Sequence, residues 1–146
     1  MNWNLVWTPG ESTGANTCNS KFVFYLGDEP ILTKKMNGQI CQSQKKTWLT
    51  FVETMYKFSF ENFNEFVMDF QKSTQAKISF DVWDGQESFV YDSDTDRLII
   101  AFELYTSNMV FSISIDDRTR IQFVKEFNKF QNHYLEFFET SSKHQN

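Results

Sequence analysis

The feature that most constrains the fold of this chain is a run of aromatic residues at helical spacing near the C-terminus. Between residues 119 and 139, large apolar side chains recur every three or four positions: Phe123, Val124, Phe127, Phe130, Tyr134, Phe137 and Phe138. This spacing predicts an amphipathic helix whose broad apolar side packs on a hydrophobic core. Thr119 is the expected N-cap, and Gln122 would complete a capping box with it.

A shorter segment earlier in the chain repeats this pattern. When residues 62–72 are aligned with residues 119–129, Phe66 coincides with Phe123 and Phe70 with Phe127. Each segment follows an alternating apolar run, YKFSF in the first case and VFSISI in the second. We therefore predict an internal duplication. The alternative is that any capped helix that packs on a sheet would show this similarity.

The chain around these helices has the period-two pattern of β-strands. The predicted strands are residues 21–26, 31–35, 47–53, 56–60, 77–83, 88–92, 97–105 and 109–115, with residues 40–43 less clearly defined. Turns are expected at residues 27–30, at Asn37-Gly38 and at Asp84-Gly85. Several strands followed by a helix, twice, predict an α+β fold of two ββββα repeats with antiparallel sheets and one helix packed after each.

These patterns divide the chain into an arm, one domain and a tail. Residues 1–20 are polar and are expected to form an N-terminal arm, although the alternation of Trp3, Leu5 and Trp7 could add an edge strand. Residues 21–139 form the single fused domain, with one repeat over about 21–75 and the other over about 76–139. Residues 140–146 are expected to form a flexible tail.

Neither the N-terminus nor any other stretch predicts export or membrane insertion. The first residues lack a basic region followed by an apolar run, so we expect an intracellular protein of the cytoplasm or nucleus. No segment approaches the roughly 20 apolar residues that span a bilayer. Cys18 and Cys41 do not make a disulfide framework and are expected to be reduced, although a bridge between them stays open.

The net charge of −5 is distributed unevenly along the chain. Residues 1–75 contain seven basic and seven acidic side chains, whereas residues 76–146 contain seven basic and twelve acidic ones. The two halves could therefore face different partners. Abundant Phe, Lys and Asn with little Ala fit an AT-rich coding source, a virus among the possibilities.

Three alternate aspartates, Asp92, Asp94 and Asp96, match the first ligand positions of a calcium-binding EF-hand loop. Arg97 stands where that loop needs glycine, and the flanking segments have the pattern of strands rather than helices. We therefore expect no metal site, and interpret residues 92–96 as a polar turn or strand end. On a strand, the three aspartates would share one solvated acidic face. This face is a candidate protein-interaction surface, because it would attract a basic partner.

Two lysine pairs flank predicted strands in the first half of the chain. Lys34 and Lys35 form one pair, Lys45 and Lys46 form the other, and Trp48 follows closely. Cations that neutralise phosphate and an aromatic ring that stacks on a base are what single-stranded nucleic acid requires. The alternative is that the lysines are solvated hairpin ends above a core rich in Phe and Trp.

No pattern in the sequence indicates catalysis. His133 falls on the long helix and His144 in the tail, and neither is accompanied by a nucleophile motif. With five glycines in the chain and no glycine-rich phosphate loop, a nucleotide cofactor is not expected. We predict a protein that is not an enzyme and that uses no cofactor.

The order of the elements resembles that of the Whirly and PUR families of single-strand binders. The resemblance is carried by the strand-to-helix passages YKFSFENFNEFVMDF and VFSISIDDRTRIQFVKEF and spans most of residues 21–139. It implies curved sheets that bind single-stranded DNA or RNA, and helices that support dimerisation. The acidic second half and the scarcity of arginine depart from those families, and fold alone does not imply function.

Two hypotheses about function follow. The first is an intracellular module that binds single-stranded DNA or RNA through Lys34, Lys35, Lys45, Lys46 and Trp48. The second is a protein-interaction module, such as an inhibitor, an immunity-type protein or a viral protein that captures a host factor, which uses Asp92, Asp94 and Asp96. In either case the C-terminal helix could also pack on a symmetry mate and form a homodimer.

Overall fold

The computed structural model describes residues 2–10, 17–43, 46–51, 57–82, 85–105 and 107–144, with side chains described for residues 2–10, 20–34, 62–79, 85–105 and 107–133. The elements are the strands β1 (Trp3–Pro9), β2 (Thr17–Leu26), β3 (Glu29–Ser43), β4 (Lys46–Phe51) and β5 (Lys57–Ser59), the helix α1 (Phe60–Gln71), the strands β6 (Ala76–Val82), β7 (Gly85–Asp92), β8 (Arg97–Leu104) and β9 (Asn108–Ser114), and the helix α2 (Asp117–His144).

The predicted α+β class with antiparallel sheets is confirmed. Strands β1 to β5 form one sheet and β6 to β9 form a second, and in each sheet every strand pairs with its neighbour in sequence. One helix follows each sheet, and both helices contribute to the same hydrophobic core. Neither helix, in the part of the chain that the structure describes, is long and apolar enough to cross a membrane.

The first sheet is larger than the sequence predicted. The alternating residues Trp3, Leu5 and Trp7 do form an edge strand, β1, and β2 begins at Thr17, so strands extend into the predicted arm. The predicted turn at Asn37-Gly38 is wrong, because both residues lie inside the long strand β3 and pair with β2. The turn at Gly27-Asp28 is present, and Gly27 has the positive φ that a tight turn requires there.

The long helix begins two residues before the predicted N-cap. Asp116 precedes it, and its carboxylate accepts a hydrogen bond from the backbone N–H of Thr119 at 2.7 Å. This bond holds the pKa of Asp116 below its ordinary value. Asp116 is therefore the N-cap, and Thr119 is a buried residue of the first turn. The shorter helix likewise begins at Phe60, before the predicted capping residue Asn62.

Phe127 of α2 lies at the centre of the core. Its ring contacts aromatic rings from both sheets and from α1, at centroid distances between 5.6 and 6.4 Å, and these rings belong to Phe22, Phe63, Phe66, Phe70 and Phe89. Phe24 of the first sheet also contacts Phe89 of the second. Edge-to-face contacts of this kind add to the free energy of apolar burial. One shared core therefore joins both sheets and both helices.

Side chains of α2 cover the open edge of β1. Gln122 accepts a hydrogen bond from the backbone N–H of Leu5 at 2.7 Å and donates one to the Leu5 carbonyl. One turn later, Glu126 accepts a hydrogen bond from the N–H of Trp7. Gln122 therefore serves to cover an edge strand, rather than to complete the predicted capping box.

A buried arginine connects four elements at the start of α2. Arg120 donates to the Phe70 carbonyl near the end of α1 at 2.6 Å and to the Tyr91 hydroxyl of β7 at 2.9 Å. The hydroxyl in turn donates to Asp96, in the turn after β7, at 2.6 Å. The guanidinium also lies over the rings of Phe70 and Tyr91. This network fixes both helices and the turn relative to the second sheet.

The network predicts that Tyr91→Phe destabilises the fold. The substitution keeps the ring and removes the hydroxyl that joins Arg120 to Asp96, so the buried Arg120 guanidinium loses one of its hydrogen-bond partners. We expect the free energy of unfolding to fall by about 1–3 kcal/mol, measured by urea denaturation. Tyr105→Phe, at a tyrosine that is 86% exposed, is the matched control and should change little. Equal stability of Tyr91→Phe and wild type would contradict the role of the hydroxyl.

The C-terminus of α1 contains a residue in a conformation that suits glycine. Ser73 has a φ of 59°, its N–H donates to the Phe70 carbonyl, and the N–H of Thr74 donates to the Asp69 carbonyl. This is a Schellman motif, in which glycine is the preferred residue at the left-handed position.

Ser73→Gly should therefore stabilise the protein. We expect a gain of about 1 kcal/mol in the free energy of unfolding, because glycine adopts a positive φ without the cost that a Cβ imposes. Thermal and urea denaturation measure the gain. Ser73→Ala keeps the Cβ and should show little of this gain. The explanation fails if the alanine variant is stabilised as much as the glycine variant.

Candidate functional site

The two sides of the first sheet differ in chemistry. Leu5, Phe22 and Phe24 occupy alternate strand positions and are fully buried in the core. The intervening positions of β1 to β5 lie on the opposite side, which we call the outer face of the first sheet. Of its described side chains in β2, Lys21 is exposed, Tyr25 is half-buried and Val23 is buried.

Two lysines of the outer face stand directly opposite each other. The register of β2 and β3 pairs Lys21 with Lys35, and that of β1 and β2 pairs Lys21 with Thr8. Like charges at directly opposed positions of an antiparallel pair destabilise a sheet. This arrangement is favourable when an anion neutralises both charges.

The same face continues across β4 and β5. The register pairs Ser43 with Lys46, Cys41 with Trp48, and Thr50 with Lys57. Counting by alternate positions, Lys46, Trp48 and Lys57 share the outer face with Lys21 and Lys35. In the described strands of this sheet, every charged residue at an outer-face position is a lysine.

The predicted nucleic-acid-binding residues therefore fall into three groups. Lys35, Lys46 and Trp48 occupy outer-face positions, although their side chains lie outside the described part of the structure. Lys45 lies outside the described residues altogether. Lys34 is on the core side, because the register places it opposite the buried Phe22.

The Lys34 ammonium is engaged inside the fold. It forms an ion pair with Glu87 of β7 and lies 5.7 Å from the ring centroid of Phe102, so that it joins the two sheets. Its side chain is only 12% exposed. Burial lowers the pKa of Lys34 to about 8, which still leaves it charged at neutral pH. Lys34 is thus placed to hold the sheets together and not to meet a ligand on the outer face.

The three predicted protein-interaction residues lie in and beside the hairpin turn between β7 and β8, as the polar-turn alternative predicted, and they do not share one face of a strand. Asp92 accepts hydrogen bonds from the N–H of Asp94 and the hydroxyl of Thr95. Asp96 accepts the Tyr91 hydroxyl bond and has a positive φ of 50°. The carboxylates of Asp92 and Asp96 therefore shape the turn, and the Asp94 side chain is exposed to solvent.

Metal chemistry has no visible centre in the described residues. No group of three or more histidine, cysteine, aspartate or glutamate side chains is placed to hold a metal ion in the described parts of the chain. His133 packs beside Trp7, with 5.1 Å between ring centroids. Burial raises the pKa of Tyr91, whose hydroxyl is occupied by Asp96 and Arg120.

Comparisons of the chain with protein-family models, with curated proteins and with solved structures found no match. The case for a function therefore depends on the geometry of the chain itself. Lys21 also occupies an outer-face position, although it was not among the residues predicted from the sequence to bind a ligand. The register of β2 against β3 identifies it, and a single sequence does not supply that register.

The position of Lys34 predicts a coupled effect on stability. Lys34→Met and Glu87→Gln should each lower the free energy of unfolding by about 3 kcal/mol, because each removes one charge of a buried ion pair. The double variant should lose clearly less than the sum of the two, as measured in a double-mutant cycle by urea denaturation. Lys77→Met, at an exposed lysine of β6, is the control. Strict additivity would show that the pair does not form.

Proposed function

We propose that the protein binds single-stranded nucleic acid on the outer face of the first sheet. The main support for the proposal is the pairing of Lys21 with Lys35 at directly opposed positions of this face. In the described strands, every charged residue at a position on this face is a lysine. Phosphates of a nucleic-acid backbone would neutralise these charges and release counterions. The same lysines destabilise the sheet when no anion is bound.

Aromatic residues on the same face favour a single strand over a duplex. Tyr25 is half-buried in β2, and Trp48 occupies an outer-face position of β4. Unpaired bases can stack on such rings, whereas the bases of a duplex are already stacked on each other. The resemblance to Whirly and PUR proteins implies the same class of ligand. A face that combines lysines with aromatic rings suits sequence-tolerant binding.

We also infer that the two halves are copies of one ββββα unit, with β1 added at the edge of the first. Four consecutive antiparallel strands precede a helix in both halves. The aligned pairs Phe66 with Phe123 and Phe70 with Phe127 are buried in the shared core. A superposition of the two units that fails to bring Phe66 onto Phe123 would contradict this inference.

The test of the binding proposal is fluorescence anisotropy with labelled single-stranded oligonucleotides at low and moderate salt, with duplex DNA as the comparison. Binding to single strands should be tighter and should weaken steeply with salt. The double variant Lys21→Gln and Lys35→Gln should bind more weakly. In this variant, the slope of the logarithm of the binding constant against the logarithm of the salt concentration should become shallower. The change should be about 0.7 for each phosphate that the protein no longer neutralises.

A matched control separates a local effect from a general charge effect. The double variant Lys77→Gln and Lys125→Gln removes the same charge at exposed lysines of β6 and α2, away from the outer face. It should bind like the wild type. The proposal is refuted if the control pair loses as much affinity as the Lys21 and Lys35 pair, or if no single strand binds even at low salt.

A further inference from the structure

The lysines on the outer face of the first sheet recur at a regular interval along β3. Directly opposed outer-face positions of neighbouring strands form rows across the sheet, and we name each row by its residue of β3. Lysines occupy three rows: the Lys35 row contains Lys21 as well, the Gln39 row contains Lys57, and the Ser43 row contains Lys46. Successive lysine rows are therefore four residues apart along β3.

The rows between the lysine rows contain no charged residue in the described strands. One of them pairs Asn37 with Asn19, and the other contains Cys41, Trp48 and Ser59. At a rise of about 3.4 Å per residue, successive lysine rows are about 14 Å apart, and the first and third are about 27 Å apart. Charged rows therefore alternate along β3 with rows that contain amide or aromatic residues.

We propose that the nucleic-acid strand lies lengthwise along β3, with phosphates at the three lysine rows and bases over the rows between them. This inference rests on the proposed binding of single strands to the outer face, and it specifies the path and the length of the ligand. A ligand that crossed the sheet along one row would meet at most two lysines of the described strands, Lys21 and Lys35. A lengthwise ligand meets four lysines and releases correspondingly more counterions.

The spacing of the lysine rows sets the length of the ligand. A stacked strand advances by about 3.4 Å per nucleotide, which equals the rise per residue of β3. A ligand therefore needs up to about eight nucleotides to reach from the Lys35 row to the Ser43 row. A much shorter oligonucleotide leaves at least one lysine row without a phosphate. The row of Trp48 lies within this span, where a base can stack on an aromatic ring.

The test is fluorescence anisotropy of the full chain with labelled single strands of about four, eight, twelve and sixteen nucleotides. Affinity should rise steeply up to about eight nucleotides and only slightly beyond, because further phosphates meet no lysine row. With the longest strand, Lys46→Gln and Lys57→Gln should each make the slope of log binding constant against log salt concentration shallower by about 0.7. Lys125→Gln, at an exposed lysine of α2, is the control and should leave the slope unchanged.

The outcomes separate the path of the ligand from the binding proposal itself. If single strands bind and the Lys21 and Lys35 double variant weakens them, but Lys46→Gln and Lys57→Gln behave like the control, the lengthwise path is overturned and the binding proposal stands. Equal affinity for the shortest and the longest strands would overturn the path as well, and this comparison needs no substitution. If no single strand binds at low salt, the binding proposal fails, and the path fails with it.

Discussion

The apolar side of α2 is the surface on which the rest of the molecule depends. Neither sheet can bury its aromatic face against the other alone, because rings from both sheets converge on the phenylalanines of α2. Phe127 contacts the first sheet, the second sheet and α1 at once. Interiors packed this closely tolerate little change in volume, so the geometry of both sheets follows from the position of one helix.

Polar side chains of α2 form hydrogen bonds with the elements against which its apolar side packs. Gln122 and Glu126 satisfy the backbone of β1, while Arg120 joins the end of α1 to β7. A polar group buried without a partner would cost free energy, so these bonds permit the helix to lie against strand backbone. None of these bonds involves a described side chain of the outer face of the first sheet.

Periodicity in the sequence was sufficient to predict the fold class, the position of both helices and most strands. Register was not predictable, because it depends on pairing between distant residues. Lys34 and Lys35 show the consequence most clearly, because neighbouring residues of a strand lie on opposite faces of the sheet. Lys35 opposes Lys21, whereas Lys34 opposes Phe22 and pairs with Glu87. Asn37-Gly38 has the composition of a turn, but pairing with β2 holds it in a strand.

The bonds between β1 and α2 connect residues 117 and 119 positions apart in the chain. Contacts of such long sequence separation form late, because the loop between them must be closed first. During synthesis β1 leaves the ribosome long before the helix that covers it, so a nascent chain exposes this edge until α2 has been made. The edge of β1 is therefore covered only after a segment 117 or more positions further along the chain has been synthesised.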